Sequence, residues 1–137
     1  MSLVLDSSVA LAWIYVDEAT EAVLDIFERV NGEVAWIPAL WRWEVANVLQ
    51  MNLRRGRHGA AFRDEALSNL AWLPIKVDAR AEPEAWLGAL VIAERHGLTV
   101  YDASYLEIAV RRKIPLATLD RQLRAAAEEE GIELLGM

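Results

Sequence analysis

The first eight residues constrain the fold of this chain most strongly. Residues 3–5 are consecutive apolar residues that lead without a polar break into Asp6. A strand that is apolar on both sides is typical of the centre of a parallel sheet, because a half-exposed strand would alternate apolar with polar residues. Asp6 would then lie at the carboxyl end of a central strand, where ligand sites form in open parallel sheets. The alternative is that Asp6, or one of the two serines after it, only caps the following helix.

The rest of the chain alternates short apolar segments with segments of helical periodicity. Extended segments are predicted at 34–37, 73–77, 99–101, 115–117 and 132–135. Helices are predicted over 9–15, 17–31, 38–55, 59–72, 82–96, 102–113 and 121–130. This order predicts an α/β protein with a mainly parallel central sheet of four to five strands and helices on both faces.

Length and composition limit the class of protein. The 137 residues and the 55% hydrophobic content suit one domain, which we expect to span residues 1–137. The chain has no cysteine, so disulfides and thiolate metal sites are excluded. No signal peptide is recognisable, and no uncharged run approaches the roughly 20 residues that span a bilayer. We therefore expect a soluble, cytoplasmic protein that makes no use of a membrane.

The formal charge of −7 argues against a protein that coats nucleic acid by electrostatic attraction. It does not exclude a nuclease. If several carboxylates surround divalent cations, part of the negative charge is cancelled at the place where a phosphate would bind.

Three acids occur where an extended segment turns into a helix. Asp6, Asp102 and Asp120 should therefore lie at the same edge of a parallel sheet, and Glu44, early in the helix that follows Pro38, could point into the same crevice. Each acid also has a simpler explanation: Asp102 and Asp120 stand where helix caps stand, and Glu44 could lie on a solvated face.

Carboxylates gathered in this way would raise one another's pKa values unless cations held them ionised. Because the donors are oxygen atoms only, Mg²⁺ or Mn²⁺ is the expected ligand rather than Zn²⁺. Such ions activate water and stabilise charge during phosphodiester hydrolysis. No Ser/His/Asp or Cys/His set competes for the chemistry.

Four motifs together resemble those of the PIN-domain nucleases and, within them, of the VapC-type toxins of bacterial and archaeal toxin–antitoxin pairs. They are VLDSSV at 4–9, PALWRWEVANVL at 38–49, LTVYDASYLEIA at 98–109 and ATLDRQL at 117–123. They occur in the family's order and spacing and cover nearly the whole chain.

The resemblance implies a three-layer PIN-like fold and a Mg²⁺- or Mn²⁺-dependent endoribonuclease. Its catalytic, metal-holding quartet would be Asp6, Glu44, Asp102 and Asp120. Three further residues match supporting positions: Ser7 beside the first acid, Asn47 one helical turn from Glu44, and Thr118, which would orient the last acid or a bound water.

The resemblance also implies a homodimer that cleaves RNA and a cognate antitoxin whose C-terminal segment lies in a groove near the active site. Trp13, Trp41 and Trp43 are candidates for that groove, because aromatic anchors are typical of such interfaces. The alternative is that these three side chains belong to the core. The remaining tryptophans, Trp36, Trp72 and Trp86, are predicted to be core residues.

Other readings of the sequence remain. A haloacid-dehalogenase-like phosphatase needs a second Asp two residues after the first, where this chain has Ser8, and a response-regulator receiver needs an adjacent acidic pair and a late Lys. Both are disfavoured. A PIN-fold binding module, or an RNA-processing nuclease outside a toxin–antitoxin pair, stays open.

Overall fold

The protein is built on a parallel sheet with helices in every connection. The computed structural model describes residues 2–80 and 82–137, and residues 82–84 by their backbone alone. The strands in this part of the chain are β1 (Ser2–Leu5), β2 (Val34–Ile37), β3 (Ile75–Val77), β4 (Leu116–Ala117) and β5 (Leu134–Leu135). The helices are α1 (Ser7–Ile14), α2 (Glu21–Gly32), α3 (Leu40–Arg54), α4 (Ala60–Ala71), α5 (Glu82–His96), α6 (Val100–Arg112) and α7 (Arg121–Glu129), with a short 3₁₀ turn at Val16–Glu18.

The strand order places the beginning of the chain in the middle of the sheet. The order is β3-β2-β1-β4-β5, and every neighbouring pair is parallel. The chain first extends to one side of β1 through β2 and β3, and then returns to its other side for β4 and β5. The direction of strand addition therefore reverses at β1, which opens a crevice at the carboxyl end of this strand.

β1 is covered on both of its faces. Leu3, Val4 and Leu5 are consecutive, so their side chains point alternately to opposite faces, and all three are fully buried. Helix α6 contacts β1, β2 and β4. The prediction of a central β1 in a parallel α/β fold is confirmed. None of the helices in the described residues combines the length and apolar composition needed to cross a membrane.

The segment before Asp102 differs from the prediction. Residues 99–101 were expected to be extended; Thr99 is extended, but the prediction is wrong for Val100 and Tyr101, because helix α6 begins at Val100. Thr99 is its N-cap, and the Thr99 hydroxyl accepts a hydrogen bond from the backbone N–H of Asp102 at 3.1 Å. Thr and Val favour strands, but Thr is also a good N-cap, and the cap interaction prevails here. Asp102 is thus the third residue of a helix, neither a strand end nor an N-cap.

An ion-pair network ties the end of β3 to the end of α6. Asp78 accepts hydrogen bonds from Arg111 at 3.0 and 3.2 Å and from Arg112 at 2.6 Å. Arg111 also binds both oxygens of Glu107, and the guanidinium of Arg112 lies 3.6 Å from the centre of the Trp36 ring. The side chain of Asp78 is almost completely buried. Asp78 therefore depends on these two arginines for its charge.

Replacing Asp78 by Asn tests this network. Burial raises the pKa of Asp78, but the hydrogen bonds from Arg111 and Arg112 outweigh it and lower the pKa to about 2, from an ordinary value of 3.8. A depressed pKa stabilises the fold above about pH 3.8, and the contribution is lost as the pH falls toward 2. Because one pKa unit is worth about 1.4 kcal/mol, we expect Asp78→Asn to lose about 2 kcal/mol of unfolding free energy at pH 7 in urea titrations.

The same titration near pH 2 should give nearly equal stabilities for wild type and Asp78→Asn. Asp25 is an exposed acid on α2, so Asp25→Asn should change the unfolding free energy by less than about 0.5 kcal/mol. Equal losses in the two variants at pH 7 would contradict the assignment.

Candidate active site

Two of the predicted acids follow neighbouring strands at the sheet edge. Asp6 comes directly after β1, and Asp120 lies three residues beyond β4. The two strands are paired in parallel, and the backbone N–H of Asp6 donates to the carbonyl of Ala117 at 2.9 Å. Both acids therefore stand where the strand order reverses, as the sequence predicted for them.

The carboxylate of Asp6 is buried and held by two hydroxyl groups. Ser8 Oγ donates to Oδ2 of Asp6 at 2.6 Å, and Thr118 Oγ1 donates to the same oxygen at 2.8 Å. Ser8 Oγ also accepts a hydrogen bond from the backbone N–H of Leu119 at 3.0 Å. Thr118 Oγ1 accepts one from the backbone N–H of Asp120 at 3.1 Å. These N–H groups orient the hydroxyls so that their protons point to Asp6. The side chain of Asp6 makes no capping hydrogen bond to α1, so the capping explanation fails for this residue.

Glu44 is joined to two other helices through one of its oxygens. Its Oε1 accepts a hydrogen bond from Ser7 Oγ, at the start of α1, at 3.4 Å, and a second from the hydroxyl of Tyr105 on α6. Ser7 thus contacts Glu44, although the sequence placed it with Asp6. Tyr105 was missed by the sequence analysis. The available signal was its position three residues after Asp102, because residues i and i+3 share a helix face.

The other two acids lie in the first turns of their helices. Asp102 is in the first turn of α6. Asp120 is the N-cap of α7, and its Oδ1 accepts the backbone N–H of Leu123 at 2.8 Å. The capping explanation is therefore correct for Asp120, although capping occupies only one of its two carboxylate oxygens.

Three of the four carboxylates have raised pKa values, to which the charges of other members of the set contribute. Burial raises the pKa of Asp6, and the charge of Asp120 raises it further. Burial also raises the pKa of Glu44, and the charges of Asp6 and Asp102 raise it further. The pKa of Asp102 is raised by burial and then by the charges of Asp120 and Asp6. Hydrogen bonds from Tyr105 and Ser7 act in the opposite direction on Glu44. Asp6, Glu44, Asp102 and Asp120 thus form one electrostatic group, called the acidic quartet below.

The donor set of the acidic quartet suits a hard cation. Its atoms are carboxylate oxygens, with hydroxyls behind them, which is the ligand type preferred by Mg²⁺ and Mn²⁺. In the residues that the structure describes, no three carboxylate or imidazole side chains are grouped as closely as in a formed metal site. Mutual repulsion between uncompensated carboxylates acts against such a grouping.

Asn47 lies apart from these contacts. It is exposed on α3, one turn beyond Glu44, and no hydrogen bond within the described residues connects the two side chains.

The three groove candidates have different environments. Trp13 donates to the carbonyl of Val23 at 2.8 Å and packs edge-on against Phe27. It lines a surface cavity of about 550 Å³ between α1, α2 and α4. Trp41 is buried in the core, and Trp43 is 78% exposed. Trp13 and Trp43 are therefore accessible to a partner, and Trp41 is not.

The remaining tryptophans were all predicted to be core residues. Trp36 packs partly against the core, under Arg112. The prediction is wrong for Trp72 and Trp86, which are 86% and 63% exposed. Trp72 also lines the cavity that contains Trp13, together with Phe27 and Phe62. Trp72 is the C-cap of α4 and Trp86 lies on α5, and no other element of the described chain covers these two rings.

Comparison with known proteins agrees with this geometry. The family model of the PIN domain matches residues 3–129. The chain is 36% identical to ribonuclease VapC3 of Pyrobaculum aerophilum over 134 residues, covering 90% of this chain and 92% of that protein. The crystal structure of PAE2754 from Pyrobaculum aerophilum is similar, with a TM-score of 0.72, 26% identity and coverage of 98% of this chain and 83% of that one. VapBC2 from Rickettsia felis, bound to a DNA fragment from their promoter, shares the fold, with a TM-score of 0.67, 11% identity and coverage of 98% and 97%. The chain belongs to the PIN domain family.

Proposed function

We propose that this protein is a metal-dependent endoribonuclease and the toxin of a VapBC-type toxin–antitoxin pair. The observation that carries the proposal is the acidic quartet, electrostatically coupled at the point where the strand order reverses. Membership of the PIN domain family and 36% identity to a protein named ribonuclease VapC3 support RNA as the substrate.

The acidic quartet would hold Mg²⁺ or Mn²⁺. When bound, such an ion supplies Lewis acidity, which activates water for attack on phosphorus and neutralises charge on the phosphodiester. A protein of net charge −7 repels RNA, so the negative charge at the site has to be compensated before a phosphate can approach.

The surrounding hydroxyls would fix the acids in place. Thr118 and Ser8 orient Asp6, and Ser7 contacts Glu44. Thr118 thus serves the first acid as well as receiving the N–H of the last one. Asn47 is a proposed supporting residue because it lies on the same helix face as Glu44, three positions further on.

Two separate apolar surfaces would serve two protein partners. The cavity around Trp13 and Trp72 suits an apolar segment of an antitoxin. The outer face of α5 suits a second copy of this chain, because its exposed residues include Trp86, Leu87, Leu90 and Val91.

RNA and a protein inhibitor as partners would place the protein in the cytoplasm. One hydrophobic core with contributions from strands and helices supports a single domain over residues 1–137.

Asp6→Asn should stabilise the metal-free protein at neutral pH. The folded-state pKa of Asp6 is raised, so its ionisation opposes folding, and this penalty grows as the pH rises above the ordinary value of 3.8. Asn stays neutral and can still accept the hydrogen bonds of Ser8 and Thr118. We expect a higher Tm than wild type at pH 7 in EDTA, and a smaller difference at pH 4. Mn²⁺ should raise the Tm of wild type and much less that of the variant. A lower Tm for Asp6→Asn at pH 7 in EDTA would contradict the proposed charge repulsion.

Cleavage of RNA should depend on the same carboxylates. Asp6→Asn and Asp102→Asn should each lower Mn²⁺-dependent cleavage of total RNA by at least about a hundredfold, measured with purified protein and with EDTA as the zero control. Asp25→Asn provides the matched Asp→Asn control and should cleave like wild type. Undiminished cleavage by both quartet variants would defeat the nuclease assignment.

Two exposed tryptophans should separate the two protein interfaces. A buried interface Trp often contributes about 2 kcal/mol or more, so Trp72→Ala should weaken binding of the cognate antitoxin by at least about tenfold. Trp86→Ala should leave that affinity unchanged and shift the protein from dimer to monomer in light scattering. If Trp72→Ala disrupted the dimer and Trp86→Ala weakened antitoxin binding, the assignment of the two surfaces would be reversed. If neither variant had an effect, both proposed interfaces would be wrong.

A further inference from the structure

A buried hydroxyl outside the acidic quartet contacts it directly. Tyr105 lies in the middle of α6 with none of its surface exposed, and its hydroxyl donates a hydrogen bond to Oε1 of Glu44. Ser7 approaches the same oxygen from α1. Within the described part of the chain, no hydrogen bond reaches Oε2 of Glu44. Both donors therefore engage one side of the carboxylate and leave the other oxygen without a protein partner.

Glu44 would otherwise be drawn out of the crevice. Its carboxylate is only partly buried, and the charges of Asp6 and Asp102 act unfavourably on it. A change of rotamer could place Glu44 in solvent. Tyr105 opposes this change, because its enclosed hydroxyl would lose its hydrogen bond to a carboxylate, and hydrogen bonds to charged groups are the stronger ones. Ser7, whose side chain also hydrogen-bonds with the Tyr105 hydroxyl, offers a neutral acceptor in its place.

We propose that Tyr105 is a positioning residue that keeps Glu44 turned into the crevice, with Oε2 presented to a divalent cation. This inference rests on the proposed function, since it takes the acidic quartet as the site of Mg²⁺ or Mn²⁺. Without Tyr105, binding of the cation would have to pull Glu44 inward and order it, which lowers the affinity.

The test is the Mn²⁺ affinity of the full-length protein, measured by isothermal titration calorimetry at pH 7 after removal of metals with EDTA. Tyr105→Phe keeps the ring and removes only the hydroxyl, so the variant should fold, which far-UV circular dichroism can verify. We expect its Kd for Mn²⁺ to rise about tenfold, equivalent to ~1.4 kcal/mol. The matched control is Tyr101→Phe, one helical turn earlier at a residue that is 66% exposed, and it should bind like wild type.

A double-mutant cycle identifies the residue through which Tyr105 acts. In a Glu44→Ala background, Tyr105→Phe should have no further effect on the Kd, because the carboxylate that it positions is gone. A tenfold loss that persists in this background would show a general structural effect and overturn the inference.

The remaining outcomes distinguish the two proposals. If wild type binds Mn²⁺ and Tyr105→Phe binds equally well, the positioning role is wrong and the nuclease proposal stands. If wild type does not bind Mn²⁺, the metal-dependent function itself fails, and the role of Tyr105 fails with it.

Discussion

The burial of β1 on both faces is the constraint on which the rest of the structure depends. Three consecutive fully buried residues require covering layers above and below the strand. The strand is also paired on both edges, by β2 and by β4. The chain must therefore build one half of the sheet, cross back and build the other half. That reversal opens the crevice, and the residue directly after β1 is Asp6.

The crevice holds carboxylates whose ionised forms are unfavourable in the folded protein. Burial and like charges raise the pKa values of Asp6, Glu44 and Asp102, whereas Arg111 and Arg112 lower that of Asp78. Asp6 and Asp78 are both buried aspartates, yet their pKa values shift in opposite directions, because carboxylates lie near Asp6 whereas arginines contact Asp78. At the crevice the protein supplies hydroxyl donors instead of cations. Hydroxyls orient a carboxylate and partly offset its desolvation, but they do not neutralise it, so the acidic quartet retains an attraction for a positive ion.

Local pattern was enough to predict some parts of this structure and not others. The central strand and the alternation of strands with helices follow from apolar runs, and the placing of Asp6 and Asp120 at one sheet edge follows from the rule that parallel strands end there. The start of α6 was misjudged because Thr99 is suited both to a strand and to a helix cap. Tyr105 was missed because its hydrogen bond to Glu44 depends on tertiary geometry, which brings together residues 61 positions apart. The hydrogen bond from Ser8 to Asp6 spans two residues, but Ser8 was considered only as a helix cap. The exposure of Trp72 and Trp86 was missed because the sequence does not show whether an apolar side chain is covered by another part of the fold.

The N-cap at α7 has a consequence for how related sequences are interpreted. Asp120 stabilises its helix through Oδ1 while it takes part in the acidic quartet. A descendant that had lost its chemistry would still be under pressure to keep an acid there, simply to preserve the helix. Asp6 makes no such cap and its ionisation opposes folding, so without the proposed chemistry a neutral acceptor for Ser8 and Thr118 would serve the fold better than an acid. If the acidic quartet is the proposed metal site, an acid directly after the first strand is therefore a better indicator of cation binding than an acid at the start of α7.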